Sequence, residues 1–212
     1  MSKIEYKALS DQVYDKIRRM IDDGLLVPGG KINKLALSET LGVSQTPIND
    51  ALSRLTGERL VEQRSRHGYF VHAYSWEELM PIFELRAGLE GMAIRLCVEN
   101  KQPSQMRRLT HAFDGFEAQV PESRYDDYLR ADKLFHESII EYSGNPFLLE
   151  LMRSSGYLLK SNRRGLVRPP GETLPEHRAI IDAVLRRDAR EAQEQAILHL
   201  LRSRDFMRTL KS

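Results

Sequence analysis

Two short stretches, Leu60-Val61-Glu62-Gln63 and Tyr69-Phe70-Val71-His72, are the only parts of this 212-residue chain whose pattern predicts extended strand. Arg64 to Gly68 lies between them as a basic turn. A lone two-stranded ribbon is marginal in water and must pack on something else. Helical segments precede it. Ser10 is a good N-cap for the first, with Asp11 in the first turn, where a negative charge suits the helix dipole. Val13, Ile17, Met20 and Ile21 then recur at helical spacing, and Gly24 and Pro28-Gly29-Gly30 end the segment. A second helix runs from about Leu35 to Leu41 and stops at Gly42. Ser44 or Thr46 caps a third, Pro47 is tolerated in its first turn, and Ile48, Leu52 and Leu55 form its buried side. Three short helices followed by a ribbon predict a winged helix-turn-helix.

After Ser75, which caps the next helix ahead of Glu77 and Glu78, no strand pattern returns. The spacing predicts helices over about 76–99, 104–118, 125–142, 146–161, 176–187 and 189–209. The expected fold is therefore mainly α, with a winged helix-turn-helix over 1–74 and an all-α bundle of about six helices over 75–212.

Composition narrows the setting. No apolar run approaches the roughly 20 residues of a membrane helix. The first residues carry charges where a secretion signal needs an apolar stretch. Cys97 is the sole cysteine, which excludes an internal disulfide and suits a reducing cytoplasm. The net charge is only +2, all of it in residues 1–74, so any attraction to nucleic acid must be local.

A DNA major groove admits one helix, and the first turn of that helix reaches the base edges. Here that turn holds Ser44, Gln45, Thr46 and Asn49. Gln45 and Asn49 are four apart and share a face; their amides can pair with adenine. Arg54 is a candidate backbone contact, and Arg66, His67 and Gly68 form the wing tip. Taken singly, each also fits an ordinary surface residue; the ordered set is more specific. The segment LALSETLGVSQTPINDALSRLTGERLVEQRSRHGYFVHAYS resembles the DNA-binding domain of the GntR family of bacterial transcription regulators. The likeness covers roughly residues 8–72: the LGVS turn, the TP pair, the AL-x-x-L run, Leu60-Val61 and Gly68-Tyr69. It implies binding to double-stranded operator DNA. The family usually has arginine at the positions of Gln45 and Asn49, and glutamate at Asp50. Losing two arginines predicts a shift away from guanine and a weaker salt dependence.

In the bundle, Tyr125, Leu129, Asp132, His136 and Ile139 fall on one helical face. Asp132 and His136, at i and i+4, can reach one point, and a carboxylate beside an imidazole can begin a metal site. Two more histidines take inward positions: His177 opens the fifth helix, and His199 shares a small-residue face with Ala192, Ala196 and Ser203. The alternative for each is a core histidine bonded to a neighbour. Arg86 shares a face with Leu79, Phe83, Ala93 and Cys97, so it points inward and needs a carboxylate, which Glu90 four residues on could supply. Arg163 and Arg164 add charge without a spacing argument. Ile82, Leu85, Leu89, Met92 and Leu96 form a second apolar stripe on the Arg86 helix, either core or dimer interface.

Residues 76–210 resemble the FCD domain, the all-helical effector domain of the FadR subfamily, through FELRAGLEGMAIRL, ADKLFHESIIEYSGNPFLLEL and PEHRAIIDAVLRRDAREAQEQAILHLL. Six helices rather than seven resembles the shorter VanR-like version. The resemblance implies a divalent metal (zinc, nickel or manganese) held by Asp132, His136, His177 and His199, and Arg86 holding the carboxylate of a small organic-acid effector. It also implies a cytoplasmic homodimer on a near-palindromic operator. The competing reading is a metal-dependent hydrolase or lyase fused to a DNA-binding head; no phosphate loop or nucleophile motif accompanies it.

Overall fold

The computed structural model describes residues 8–117, 119–155 and 168–209. The chain divides into two compact units, Met1–Tyr74 and Ser75–Ser212.

The first unit holds α1 (Leu9–Asp22), β1 (Lys31–Ile32), α2 (Lys34–Leu41), α3 (Gln45–Gly57), β2 (Val61–Arg64) and β3 (Gly68–Val71). Its core is built from the predicted apolar positions: Val13, Ile17 and Ile21 of α1 meet Ile48, Leu52 and Leu55 of α3. Between α2 and α3, Gly42 takes φ 65°, a left-handed turn that only glycine adopts cheaply. The hydroxyl of Ser38 closes that turn by donating to the carbonyl of Val43 at 2.5 Å. Two details differ from expectation. Ser10 lies inside α1, whose N-cap is Ala8 with no side-chain cap bond. A third strand, β1, joins the wing, giving the antiparallel order β1-β3-β2 with Lys31 opposite Phe70. Two residues are too few to show an alternation, so nothing in the pattern announces β1.

The second unit holds α4 (Trp76–Asn100), α5 (Arg107–Thr110), α6 (Tyr125–Tyr142), α7 (Pro146–Ser155), α8 (Pro170–Leu185) and α9 (Ala189–Thr209). Ser75 and Glu78 form a reciprocal capping box at the start of α4. α4 and α9 approach closely because small residues face the contact: a Cβ on Gly91 would lie 2.6 Å from Cγ1 of Ile197. The expected helix over 104–118 shrinks to the single turn of α5. After it the chain turns repeatedly, with Gly115 at φ 80°, and buries Phe113 and Phe116. Two aromatic side chains three apart are thereby inserted into the core without a continuous helix. α8 starts earlier than expected, at Pro170, and runs through Pro175. Pro175 removes one backbone bond, while Thr173, Leu174 and His177 are fully buried around it. The expected helix over 146–161 is described as far as Ser155; its last part, with Arg163 and Arg164, lies outside the described residues.

Candidate functional site

Three helices bring four ionisable side chains to one buried point. Asp132 and His136 come from α6, His177 from α8 and His199 from α9. One ligand atom from each lies within 4.8 Å of the others. All four residues are buried, His177 completely. The face of α6 that delivers Asp132 and His136 is centred on Tyr128, Phe135 and Ile139, with Tyr125 and Leu129 only half-buried at its edge.

Each imidazole is held through Nδ1. His136 Nδ1 lies 2.5 Å from Glu90 Oε2, His199 Nδ1 lies 2.8 Å from Glu176 Oε2, and His177 Nδ1 lies 3.2 Å from the hydroxyl of Tyr128. That leaves Nε2 of each ring as the atom available to the shared centre. The Nε2 atoms of His136 and His177 lie 3.9 and 3.3 Å from Asp132 Oδ1. His177 Nε2 is buried and has no hydrogen-bond partner. Metal-ligating histidines characteristically give their second nitrogen to a carboxylate or hydroxyl, which sets the ring angle and tautomer.

Burial and nearby charge favour the neutral form of His177 and His199. Burial pushes the pKa of His177 well below the ordinary imidazole value, and His199, His136, Arg168 and Arg86 push it further the same way. Burial also lowers that of His199, against the opposing pull of Glu176. For Glu90, burial would raise the pKa, but Arg86 and His136 outweigh it and hold the carboxyl at about 2. Glu176 is likewise held at about 2, its burial outweighed by His199 and Arg168. Neutral imidazoles and ionised carboxylates are the states that bind a cation.

Arg86 is buried, and its Nε donates to Glu90 Oε1 at 2.6 Å. Glu90 thus spans from Arg86 to His136. Sequence spacing finds the Arg86–Glu90 pair but not its second arm. It also misses Tyr128, Glu176 and Arg168. Tyr128 is four residues before Asp132, on the same face, so a signal existed. Arg168 precedes Pro169 and Pro170 between the expected helices over 146–161 and 176–187, yet it is buried, paired with Glu176, and its Nε lies 3.3 Å from Ser203 Oγ.

In the first unit, Ser44, Gln45 and Thr46 are exposed at the start of α3, and Asn49 is half-buried one turn on. Ser44 occupies the N-cap without a side-chain cap bond. Asn49 Oδ1 accepts from Lys34 Nζ at 3.0 Å. At the wing, Arg66 and His67 are exposed, and Arg66 takes φ 61°. Arg54 stands apart from this group. It is nine residues beyond Gln45, about half a turn around α3. Its Nη1 lies 2.5 Å from Asp11, and its guanidinium covers the Tyr14 ring at 4.1 Å. The pair is half exposed, so the guanidinium also faces solvent.

Residues 9–71 match the family of bacterial regulatory proteins, gntR family, and residues 81–202 match the FCD domain. The chain belongs to the GntR family of transcription regulators, in its FCD-domain branch. It is 25% identical over 194 residues to the uncharacterized HTH-type transcriptional regulator YdhC of Bacillus subtilis, covering 89% of this chain and 86% of that protein. It is 28% identical to the Escherichia coli transcriptional repressor GlaR, covering 89% and 90%. It is 29% identical to a putative L-lactate dehydrogenase operon regulatory protein of E. coli, covering 92% and 84%. The solved structure of E. coli McbR/YncC shares the fold, with a TM-score of 0.77 at 20% identity over 98% of this chain and 100% of that one.

Membership makes this a DNA-binding transcription regulator rather than an enzyme. Within the GntR frame, the winged unit presents Ser44, Gln45, Thr46, Asn49 and the Arg66–Gly68 tip. The FCD unit contains the Asp132, His136, His177 and His199 cluster. No helix among the described residues is long and apolar enough to cross a membrane.

Proposed function

We propose that this GntR-family regulator senses a small organic acid beside a bound divalent ion and changes its affinity for operator DNA in response. Asp132, His136, His177 and His199 hold the ion; the three imidazoles suit zinc or nickel, and the carboxylate of Asp132 also admits manganese. The observation that supports this most is the buried, unbonded Nε2 of His177. A buried nitrogen without a partner costs about 1–3 kcal/mol, and ligation removes that cost. When bound, the ion supplies Lewis-acid attraction for an effector oxygen. Glu90, Tyr128 and Glu176 fix the three rings, and Arg86 offers its guanidinium to the effector carboxylate; a guanidinium has five N–H donors, and its Nε–H goes to Glu90. One relative is a putative L-lactate dehydrogenase operon regulatory protein. Lactate is a small hydroxy acid, of the chemical class proposed here.

On DNA, the first turn of α3 enters the major groove through Ser44, Gln45, Thr46 and Asn49, and Arg66, His67 and Gly68 of the wing reach the flanking duplex. The protein acts in the cytoplasm as a homodimer on two half-sites. Leu85 and Met92 on α4, 39% and 44% exposed, continue one face with Leu89 and Leu96, and a second copy would cover it. Effector and operator affinities are coupled reciprocally.

The test is metal content by elemental analysis after loading and desalting the full chain, beside His177→Ala. The wild type should retain about one ion per chain. The variant should retain none while keeping its helical circular dichroism. Equal metal content in both would remove the site.

A further inference from the structure

Read from sequence, Gln45 and Asn49 cost this chain two arginines and, with them, a preference for guanine. A contact between α2 and α3 changes that reading. Lys34 opens α2, where the Asn33 side chain accepts from the backbone N–H groups of Leu35 and Ala36 at 3.0 and 3.2 Å. From there its ammonium reaches α3 and donates to Asn49 Oδ1 at 3.0 Å. The same ammonium lies 5.8 Å from the centroid of the Tyr69 ring on β3. Helix, reading helix and wing strand thus converge on one half-buried lysine. An ammonium can only donate, so the contact fixes the Asn49 amide: the carbonyl faces Lys34 and the NH2 faces away from it.

We propose that Lys34 and Asn49 form a single reading unit that recognises guanine in the major groove. The inference rests on the DNA-reading role given above to Asn49. Guanine presents two adjacent acceptors there, N7 and O6. The unit presents donors, the amide NH2 and the remaining ammonium protons, together with one positive charge. That is the chemistry of an arginine assembled from two side chains. Adenine presents an acceptor beside its N6 amino donor. An ammonium held next to that amino group would set donor against donor, which selects against adenine.

The test is selection of bound sequences from a random duplex library, using the full-length protein and its Lys34→Met, Lys34→Gln, Lys34→Arg, Asn49→Ala and Lys34→Met/Asn49→Ala variants. The wild-type motif should carry a guanine that Lys34→Met, Lys34→Gln and Asn49→Ala all relax, each by roughly 5–100-fold in base preference. The double variant should lose no more than the worse single one, because the residues act together. Lys34→Arg should keep the guanine. An adenine at that position, or a Lys34→Met variant that binds all sequences more weakly by the same factor, would overturn the proposal and leave the DNA-reading role of Asn49 intact. No enriched motif from the wild type would overturn both.

Discussion

Removing one oxygen atom, by Tyr128→Phe, separates a metal centre from a merely packed histidine. The Tyr128 hydroxyl is fully buried between Thr173 Oγ1 at 2.6 Å and His177 Nδ1 at 3.2 Å. Phenylalanine fills the same space, so no cavity opens. Two consequences follow. Without metal, His177 Nδ1 loses its partner in a dry site, which costs about 1–3 kcal/mol of stability. With metal, the ring is less well aimed, and loss of such an outer partner weakens affinity about 10–100-fold.

The second effect has its own readout. At free metal of about 100 times the wild-type Kd, binding stabilises the folded chain by about 2.7 kcal/mol. If Tyr128→Phe weakens binding about 30-fold, the same free metal gives only about 0.9 kcal/mol. For a helical domain of this size the metal-induced rise in Tm should fall from roughly 10 °C to roughly 3 °C. The assay is thermal unfolding of both proteins in chelator and in buffered metal, with affinity measured in parallel by competition against a chromophoric chelator. A purely structural hydroxyl predicts something else: a lower Tm for the variant in chelator and an unchanged increment on adding metal. That second pattern would refute the assignment of Tyr128 as the positioner of His177.

Other consequences are simpler to state. Gly91→Ala should destabilise the helical unit by about 1–3 kcal/mol, because its Cβ would lie 2.6 and 2.9 Å from Ile197 Cγ1 and Cδ1; chemical denaturation should show the loss, and Ile197→Ala in the same chain should recover part of it. Arg66→Gly should raise stability by about 1 kcal/mol, since Arg66 is held at φ 61°, yet it should weaken operator binding and make the log–log salt slope shallower by about 1. Stability in chelator should fall as pH falls, for two reasons with one sign. His177 and His199 have lowered pKa values in the fold, so below the ordinary imidazole value the unfolded chain binds more protons. Glu90 and Glu176, at about 2 when folded, give stability that is complete above 4.5 and lost as pH falls through 2. Urea midpoints at several pH values check this, and a flat profile from neutral pH down to about 4 would contradict it.

Much of this was legible in the sequence because it rests on local period. The helix-turn-helix, the wing strands and the α4 capping box are each set by residues within a few positions of one another. Asp132 and His136 could be paired for the same reason. What local period cannot carry is the meeting of distant side chains. Glu90 reaches His136 across 46 residues, Tyr128 reaches His177 across 49, and Lys34 reaches Asn49 across 15. Arg168 was hidden differently, since a position between two expected helices, just before Pro169 and Pro170, gives no sign that its side chain is buried. Arg54 shows another long-range meeting: its position about half a turn from Gln45 brings it to Asp11 and Tyr14 of α1, a pairing across 43 residues that local period does not announce.

The buried charges give a reason why the proposed metal and effector would belong to one event. Among the buried groups around the centre, Asp132 and Glu90 carry two formal negative charges and Arg86 and Arg168 carry two positive ones, while the half-buried Glu176 is shared between Arg168 and the rim residue Arg202. With the imidazoles neutral, as ligation would require, these formal charges sum to zero. A divalent ion would leave excess positive charge in a low-dielectric interior, which is costly. An effector carboxylate would offset it, so under the proposed function an anion is favoured after the ion is bound rather than before it. Glu90 is placed to carry such a coupling, since it bonds Arg86 with one oxygen and His136 with the other. In the proposed function, a carboxylate arriving at Arg86 would compete with Glu90 for the guanidinium and so act, through one side chain, on a proposed ligand of the metal.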